Sequence, residues 1–261
     1  MSEPHLKNLK FICSWDGSSF QGYQTQPHGL TVEDTLTKAW KILTAEDIKI
    51  QGCSRLDAGV HAFKYCFNLL TNSELETEKI IRSLNGILHT NLKADICIYS
   101  CTEVDENFHA RFSSKGKHYR YEIWHGFSEH ALITKKCWHI KTKNNLNDLQ
   151  NILNEFCGTH DFNAFRASDC TAKTTIRTIE KIVVTQNKDL PEHYTIDIFG
   201  NGFLKNMIRN IMGFTFLVID GKRNKCEIKE LLELGQSDYK LCAPPWALTL
   251  IHALYPDCHL S

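Results

Sequence analysis

No two cysteines stand in a C-x-x-C pair, although the 261-residue chain holds eleven of them. The nearest two are Cys97 and Cys101, so the paired ligand spacing of a zinc finger or ribbon is missing. An odd total does not divide into a disulfide framework, and the chain does not open on a secretory pattern. Reduced thiols in the cytoplasm are expected, many acting as small buried hydrophobes. An excess of charge is missing too: Lys and Arg total 30, as do Asp and Glu. That excludes a bulk polycation, so a nucleic-acid ligand would need the positive charge gathered on one face. No apolar run approaches the roughly 20 residues that span a bilayer. The most apolar stretch, Ile211 to Ile219, is short and interrupted by Gly213 and Thr215. No G-x-S-x-G is present, since Gly52-Cys53-Ser54-Arg55-Leu56 lacks the last glycine, which sets aside that route to a serine hydrolase. Asp16-Gly17 and Asp57-Ala58-Gly59 do not form the paired Asp-(Thr/Ser)-Gly loops of an aspartic protease.

What is present begins with an ordinary globular balance, 42% apolar and 23% charged. The length suits one large domain or two of ordinary size, able to bury a core without a covalent staple. One segment carries more chemistry than the rest: Gly52-Cys53-Ser54-Arg55-Leu56-Asp57-Ala58-Gly59-Val60-His61-Ala62. A β-like run, Asp47 to Gln51, leads into it and a second apolar run, Ala62 to Leu70, leaves it. Residues i and i+2 share a side of an extended chain, so Arg55 and Asp57 can lie together. Gly59 permits a turn with positive φ. The segment reads as a carboxylate on a tight loop with a cation beside it, and a neighbouring guanidinium keeps a carboxylate ionised. An ionised Asp in a cleft can act as a nucleophile. On spacing alone, the favoured reading is an Arg–Asp pair that only fixes the turn.

Around this loop the chain alternates strands and helices. Leu9 to Trp15 reads as a strand, Thr31 caps a helix with apolar positions at Val32, Leu36, Ala39, Trp40 and Leu43, and Glu76 to Leu88 is a second helix. Asp95 to Val104 is another strand, completing a βαββαβ order and an α+β first half. Helices are expected from Leu146 to Phe156, from just after Gly202 and from Cys226 to Leu234, with strands at Thr175–Thr185 and Tyr194–Ile198. Lys115, Lys117, His118, Tyr119, Arg120 and Tyr121 interleave cations with flat rings, which suits phosphates and unstacked bases. The same run also fits a half-exposed strand with Tyr119, Tyr121 and Ile123 inward and His118, Arg120 and Glu122 toward solvent. Lys205 and Arg209, four apart in the expected helix, would share a face able to meet a phosphate.

Ser54-Arg55-Leu56-Asp57-Ala58-Gly59-Val60-His61-Ala62 resembles the active-site motif of the TruA-type tRNA pseudouridine synthases. Further stretches resemble that family in order: Asp16-Gly17 with Phe20, Gly22 and Gln24; Phe108-His109-Ala110-Arg111-Phe112-Ser113; His160-Asp161-Phe162 with Phe165-Arg166; Phe203-Leu204 with Met207, Arg209 and Asn210; and the closing Ala243-Pro244. Ser54, Leu56, Tyr23 and Ala247 depart from the usual residues; loss of the Thr hydroxyl at Leu56 implies a slower or retuned enzyme rather than an inactive one. The resemblance implies two ferredoxin-like α/β-sandwich halves, 1–105 and 106–261. These would form a continuous, mostly antiparallel sheet with helices on one face and a central cleft. It implies an isomerase that converts uridine to pseudouridine near positions 38–40 of the tRNA anticodon stem-loop, working as a cytoplasmic homodimer. Neither metal nor organic cofactor is implied, because nothing is oxidised and no group enters. Asp57 would be the nucleophile or base, Arg55 and Arg209 would keep it charged and aimed, and Tyr119 would stack on the uracil. Lys115, Lys117, Arg120, Arg166 and Lys205 would meet phosphates. A synthase of the same fold acting on another RNA would look alike, whereas a weakly catalytic RNA-binding relative would keep the basic and aromatic positions and lose Asp57.

Overall fold

Leu9, Phe11, Cys13 and Trp15 take alternate positions along β1 (Lys7–Trp15), on the face opposite Asn8, Lys10, Ile12 and Ser14, and are buried. The computed structural model, which describes residues 6–236 and 242–256, continues from there with α1 (Val32–Thr44), β2 (Gln51–Gly52), β3 (His61–Thr71), α2 (Thr77–Gly86) and β4 (Ile96–Val104). Thr31 caps α1 as its sequence predicts, its hydroxyl accepting from the Asp34 amide at 3.2 Å, and Ala45 ends the helix in the left-handed region. Trp40 of α1 meets Phe11 of β1 edge-on at 6.0 Å between ring centroids, and Phe11 stacks on Phe67 of β3 at 4.8 Å. A π-helical turn, Ile87–Asn91, extends α2 and buries Leu88.

The chain then forms β5 (Gly116–Trp124), β6 (Trp138–His139), α3 (Leu149–Asn154), β7 (Gly158–Asp161), β8 (Ile176–Gln186), β9 (His193–Gly200), α4 (Met207–Ile219), α5 (Glu227–Leu234) and β10 (Leu248–Leu254). The protein is therefore α+β: β1–β3, β1–β4, β2–β3, β5–β9, β7–β8 and β8–β9 pair antiparallel, and β5–β6 pair parallel.

Two compact units divide the chain. The first runs to Lys115 and takes up the chain again from Leu250; the second is Gly116–Thr249. Strand order is β4-β1-β3-β10 in the first and β5-β9-β8-β7 in the second, with β2 beside β3 and β6 beside β5. The return of the chain to the first unit differs from a simple split at residue 105, and no local pattern in the sequence announces it. In the second unit Tyr121, Trp138 and Phe216 form a chain of edge-on rings between strands and α4, while Phe156, Phe162, Phe165 and Phe214 close the core around α3 and α4.

Two expected elements change. The run Asp47–Gln51 forms a ladder only at Gln51–Gly52. Just before it, Glu46 is drawn onto the Trp40 indole, the Thr71 hydroxyl and the Asn72 amide, which holds the chain at the end of β3 rather than along it. The helix expected just after Gly202 starts at Met207 instead, because Asn206 sits at φ 61° in the left-handed region.

Candidate active site and RNA interface

The loop 53–60 joins β2 to β3, and two sets of bonds hold its shape. From β3, the Cys66 carbonyl accepts the Cys53 amide at 3.0 Å. The Tyr65 hydroxyl, fully buried, donates to the Ser54 carbonyl at 2.5 Å and accepts from the Ser54 amide at 3.3 Å. Burial pushes the Tyr65 phenol well above its usual range, so it stays a neutral donor. From the stretch 16–24, the Tyr23 amide donates to the Leu56 carbonyl at 3.0 Å, and the Phe20 carbonyl accepts the Gly59 amide at 3.3 Å. Gly22 has φ 97°, and a Cβ there would meet the Leu56 carbonyl oxygen at 2.8 Å. Two of the motifs read separately in the sequence thus form one structure: the second clamps the first.

Asp57 lies at the apex of this loop. Its carbonyl accepts the Val60 amide at 3.2 Å across a turn that Gly59 makes with φ 81°. Leu56 and Val60 are buried on either side while Asp57 is half-buried. The apolar Leu56 therefore acts as a peg, and burying a leucine contributes about 2 kcal/mol to holding it. The loop's register rests on main-chain bonds, not on the hydroxyl that leucine lacks. His61 is buried as well, its Nδ1 accepting the Gly17 amide at 3.0 Å and lying 3.3 Å from Asp16 Oδ1. It ties the second motif to the start of β3.

Arg55 differs from its expectation. It is exposed, and among the described residues it forms no ion pair with Asp57. The i, i+2 rule that placed the two together applies to a regular strand, and residues 53–60 lie between β2 and β3, outside either strand.

Segment 105–112 covers the polar face of the first sheet. The buried Asn8 amide donates to the Asp105 and Phe108 carbonyls, and Asn68 accepts the Ala110 amide at 2.8 Å while donating to Asn8 at 2.9 Å. Phe108 and Ala110 plug inward; His109 is half-exposed, while Arg111 and Phe112 are exposed. The Phe112 ring, 73% exposed, packs at a tilt against His109, 4.3 Å between centroids, with the Arg111 guanidinium 5.5 Å from its centroid. Desolvation lowers the His109 pKa, which favours the neutral, stackable ring. In the sequence Phe108–Ser113 stood out only as a stretch that resembles the family, with nothing to separate plug from platform.

In the second unit Tyr119 is buried on β5, edge-on to Phe203 at 5.2 Å. Arg209 donates to the Ala243 carbonyl at 2.8 Å and to Asn206 Oδ1 at 2.9 Å, and its own carbonyl accepts the Ala243 amide. The closing Ala-Pro stretch is therefore what positions this guanidinium. Lys205 precedes α4, so it does not share a helical face with Arg209; its ammonium pairs with Asp169 at 2.5 Å and its carbonyl accepts the Ala167 amide. Arg166, next in chain to Ala167, donates to the Cys170 carbonyl at 3.3 Å, so the backbone segments that carry Arg166 and Lys205 are neighbours. Lys115 is exposed and Lys117 half-exposed.

Arg120 and His118 also depart from expectation. Arg120 forks onto Asp197 with bonds of 2.9 and 3.1 Å, and the buried His118 lies 2.6 Å from the same carboxylate. An arginine forked onto a largely buried carboxylate has its charge already paired, unlike Lys205, whose partner Asp169 is exposed to water. The alternation of β5 holds for the inward Tyr119, Tyr121 and Ile123 but fails at the buried His118, because the opposing Asp197 on β9, seventy-seven residues from Arg120 in sequence, carries no local signal. Among the described residues, one group with several metal-ligating side chains comes together, Glu122, Cys137 and His193.

Comparison with known proteins places these features in a family. Residues 152–256 match the family model described as tRNA pseudouridine synthase. Across 251 residues the chain is 34% identical to the tRNA pseudouridine synthase A of Thermoanaerobacter sp. (strain X514), covering 96% of this chain and 100% of that one. It is 38% identical over 228 residues to the protein of the same name from Acetivibrio thermocellus, covering 87% of this chain and 91% of the relative. It is 36% identical over 251 residues to that from Clostridium botulinum (strain Alaska E43 / Type E3), covering 96% and 100%. No helix of the described residues is long and apolar enough to cross a membrane. With its two clamped motifs and near full-length matches, the chain belongs to the tRNA pseudouridine synthase A family.

Proposed function

We propose that the chain isomerises uridine to pseudouridine in the anticodon stem-loop of tRNA, at positions 38–40, with Asp57 as the reacting carboxylate. The observation that carries this reading is the loop 53–60: a half-buried carboxylate at the apex of a turn that two separate motifs hold rigid. The N1–C1′ bond breaks, the uracil turns, a C5–C1′ bond forms, the C5 proton leaves and N1 gains a proton. The sum is an isomerisation with no electron donor or added group. Asp57 attacks as a nucleophile or acts as a base. The target uridine leaves the stack to reach it. Tyr119 stacks on the base and assists loss of the C5 proton. Arg209, positioned by Ala243 and Asn206, aims the carboxylate. Arg55, exposed and without an ion pair among the described residues, suits a phosphate better than a clamp on Asp57, and joins Lys115, Lys117, Arg166 and Lys205 in that role. Arg120 is left out of it. The enzyme would work in the cytoplasm as a homodimer, which sedimentation of the purified chain addresses.

Asp57→Asn is expected to lower pseudouridine formation by ~10³-fold or more while the protein stays folded. Equal product from wild type and variant would remove Asp57 from the mechanism. Mapping pseudouridine in total tRNA with and without the protein identifies the modified positions.

A further inference from the structure

Three neighbouring strands of the second unit meet at a place that the isomerisation does not use. β5 runs parallel to β6 with Ile123 opposite Trp138, and antiparallel to β9 with Trp124 opposite His193. Side chains alternate between faces along a strand. Glu122 therefore shares a face with His193, and Cys137, one residue before Trp138, falls on that face as well. The side chains converge: His193 Nε2 lies 2.9 Å and Cys137 Sγ 3.8 Å from Glu122 Oε2. One ligand atom from each of the three lies within 4.8 Å of the others.

These separations are close to those a tetrahedral ion imposes. With Zn–S near 2.3 Å and Zn–N and Zn–O near 2.0 Å, the S···O separation is about 3.5 Å and N···O about 3.3 Å. Shifts of a few tenths of an ångström reach the S···O and N···O values, while Cys137 Sγ and the His193 nitrogen, within 4.8 Å of each other, would close toward about 3.5 Å. Cys137 is buried, whereas the Glu122 side chain is 27% exposed, so water can supply a fourth ligand from that side. The thiol lies against a carboxylate, and burial followed by that negative neighbour pushes it up to about 12. A divalent cation would reverse this by taking the thiolate and releasing its proton to solvent.

We propose that Glu122, Cys137 and His193 bind a zinc-like divalent cation in a structural site that fastens the excursion 125–137 to the sheet. A thiolate, a carboxylate and a neutral imidazole around one doubly charged ion leave the cluster without net charge. The site lies apart from the chemistry assigned to Asp57 and Tyr119 by residue, and its test does not depend on activity.

The test is cobalt titration of the purified full-length chain after chelator treatment. About one equivalent of Co(II) is expected, with a thiolate-to-cobalt band in the near ultraviolet and the visible bands of a tetrahedral ion. Zn(II) should displace the cobalt and raise Tm. Cys137→Ser should abolish the ultraviolet band, and His193→Gln, at a partly exposed position, should weaken binding by more than ~10-fold. Absence of a thiolate band in the wild type overturns the proposal. So does a band that survives both substitutions, which would place the ligand at another cysteine. If Cys137→Ser fails to fold by circular dichroism, the wild-type spectrum and His193→Gln decide the matter.

Discussion

Gly22 and Asp57 are thirty-five residues apart in sequence, yet the conformation of one sets the position of the other. A Cβ at residue 22 would both strain a φ of 97° and press on the Leu56 carbonyl. Gly22→Ala is expected to cost about 2–3 kcal/mol and to lower pseudouridine formation. Gly221→Ala is the control, because its φ is 69° but no atom lies within 4 Å of the added Cβ. It should cost about 1 kcal/mol and leave activity intact, as thermal unfolding and a tRNA assay will report. Arg120 and Lys115 separate structure from RNA contact in the same way. Arg120→Ala leaves the partly buried Asp197 carboxylate with His118 alone, and should lower stability by about 1–2 kcal/mol without changing the salt dependence of tRNA binding. Lys115→Ala, at an exposed position, should leave Tm unchanged and reduce the salt slope by about 1.

At the level of the element, α4 shows how one left-handed residue redirects an amphipathic pattern. Apolar residues from Phe203 onward fit a helix, but Asn206 adopts φ 61° and the helix begins after it. Asn tolerates that region at low strain and its Oδ1 receives the Arg209 guanidinium. Asn206→Gly keeps the backbone freedom and removes the side-chain contact; Asn206→Ala removes both. Both variants are expected to lower kcat for pseudouridine formation, and only Asn206→Ala should also lower Tm, by about 1 kcal/mol of stability. Equal kcat in wild type and Asn206→Gly would remove Asn206 from the positioning of Arg209.

Across the whole molecule, the described cysteines divide by burial. Cys13, Cys53, Cys66, Cys101 and Cys137 are buried, and burial pushes Cys66 and Cys101 up to about 12. A thiol reacts as its thiolate, so these are unreactive at neutral pH. Iodoacetamide applied to the native, metal-free protein at neutral pH should label the exposed Cys226 and spare Cys13, Cys66 and Cys101, as peptide mass spectrometry would show. Labelling of the buried three at the rate of Cys226 would mean that the first sheet opens readily.

Periodicity and capping were enough to read α1, α2, β1, β3, β4, β8 and β9, because each depends on residues within a few turns or a few pleats of one another. The motif loop was legible for the same reason: its turn, its glycine and its carboxylate lie in eleven consecutive residues. Side-chain pairing across strands was not legible. Arg120 finds Asp197, Glu122 finds His193 and Cys137, and Gly22 finds Leu56 only through strand register and chain return, which bring distant segments within hydrogen-bond reach. The sequence by itself determined which side chains can do chemistry. Tertiary structure decided which charges neutralise one another, because ion pairing follows distance in space and not in sequence.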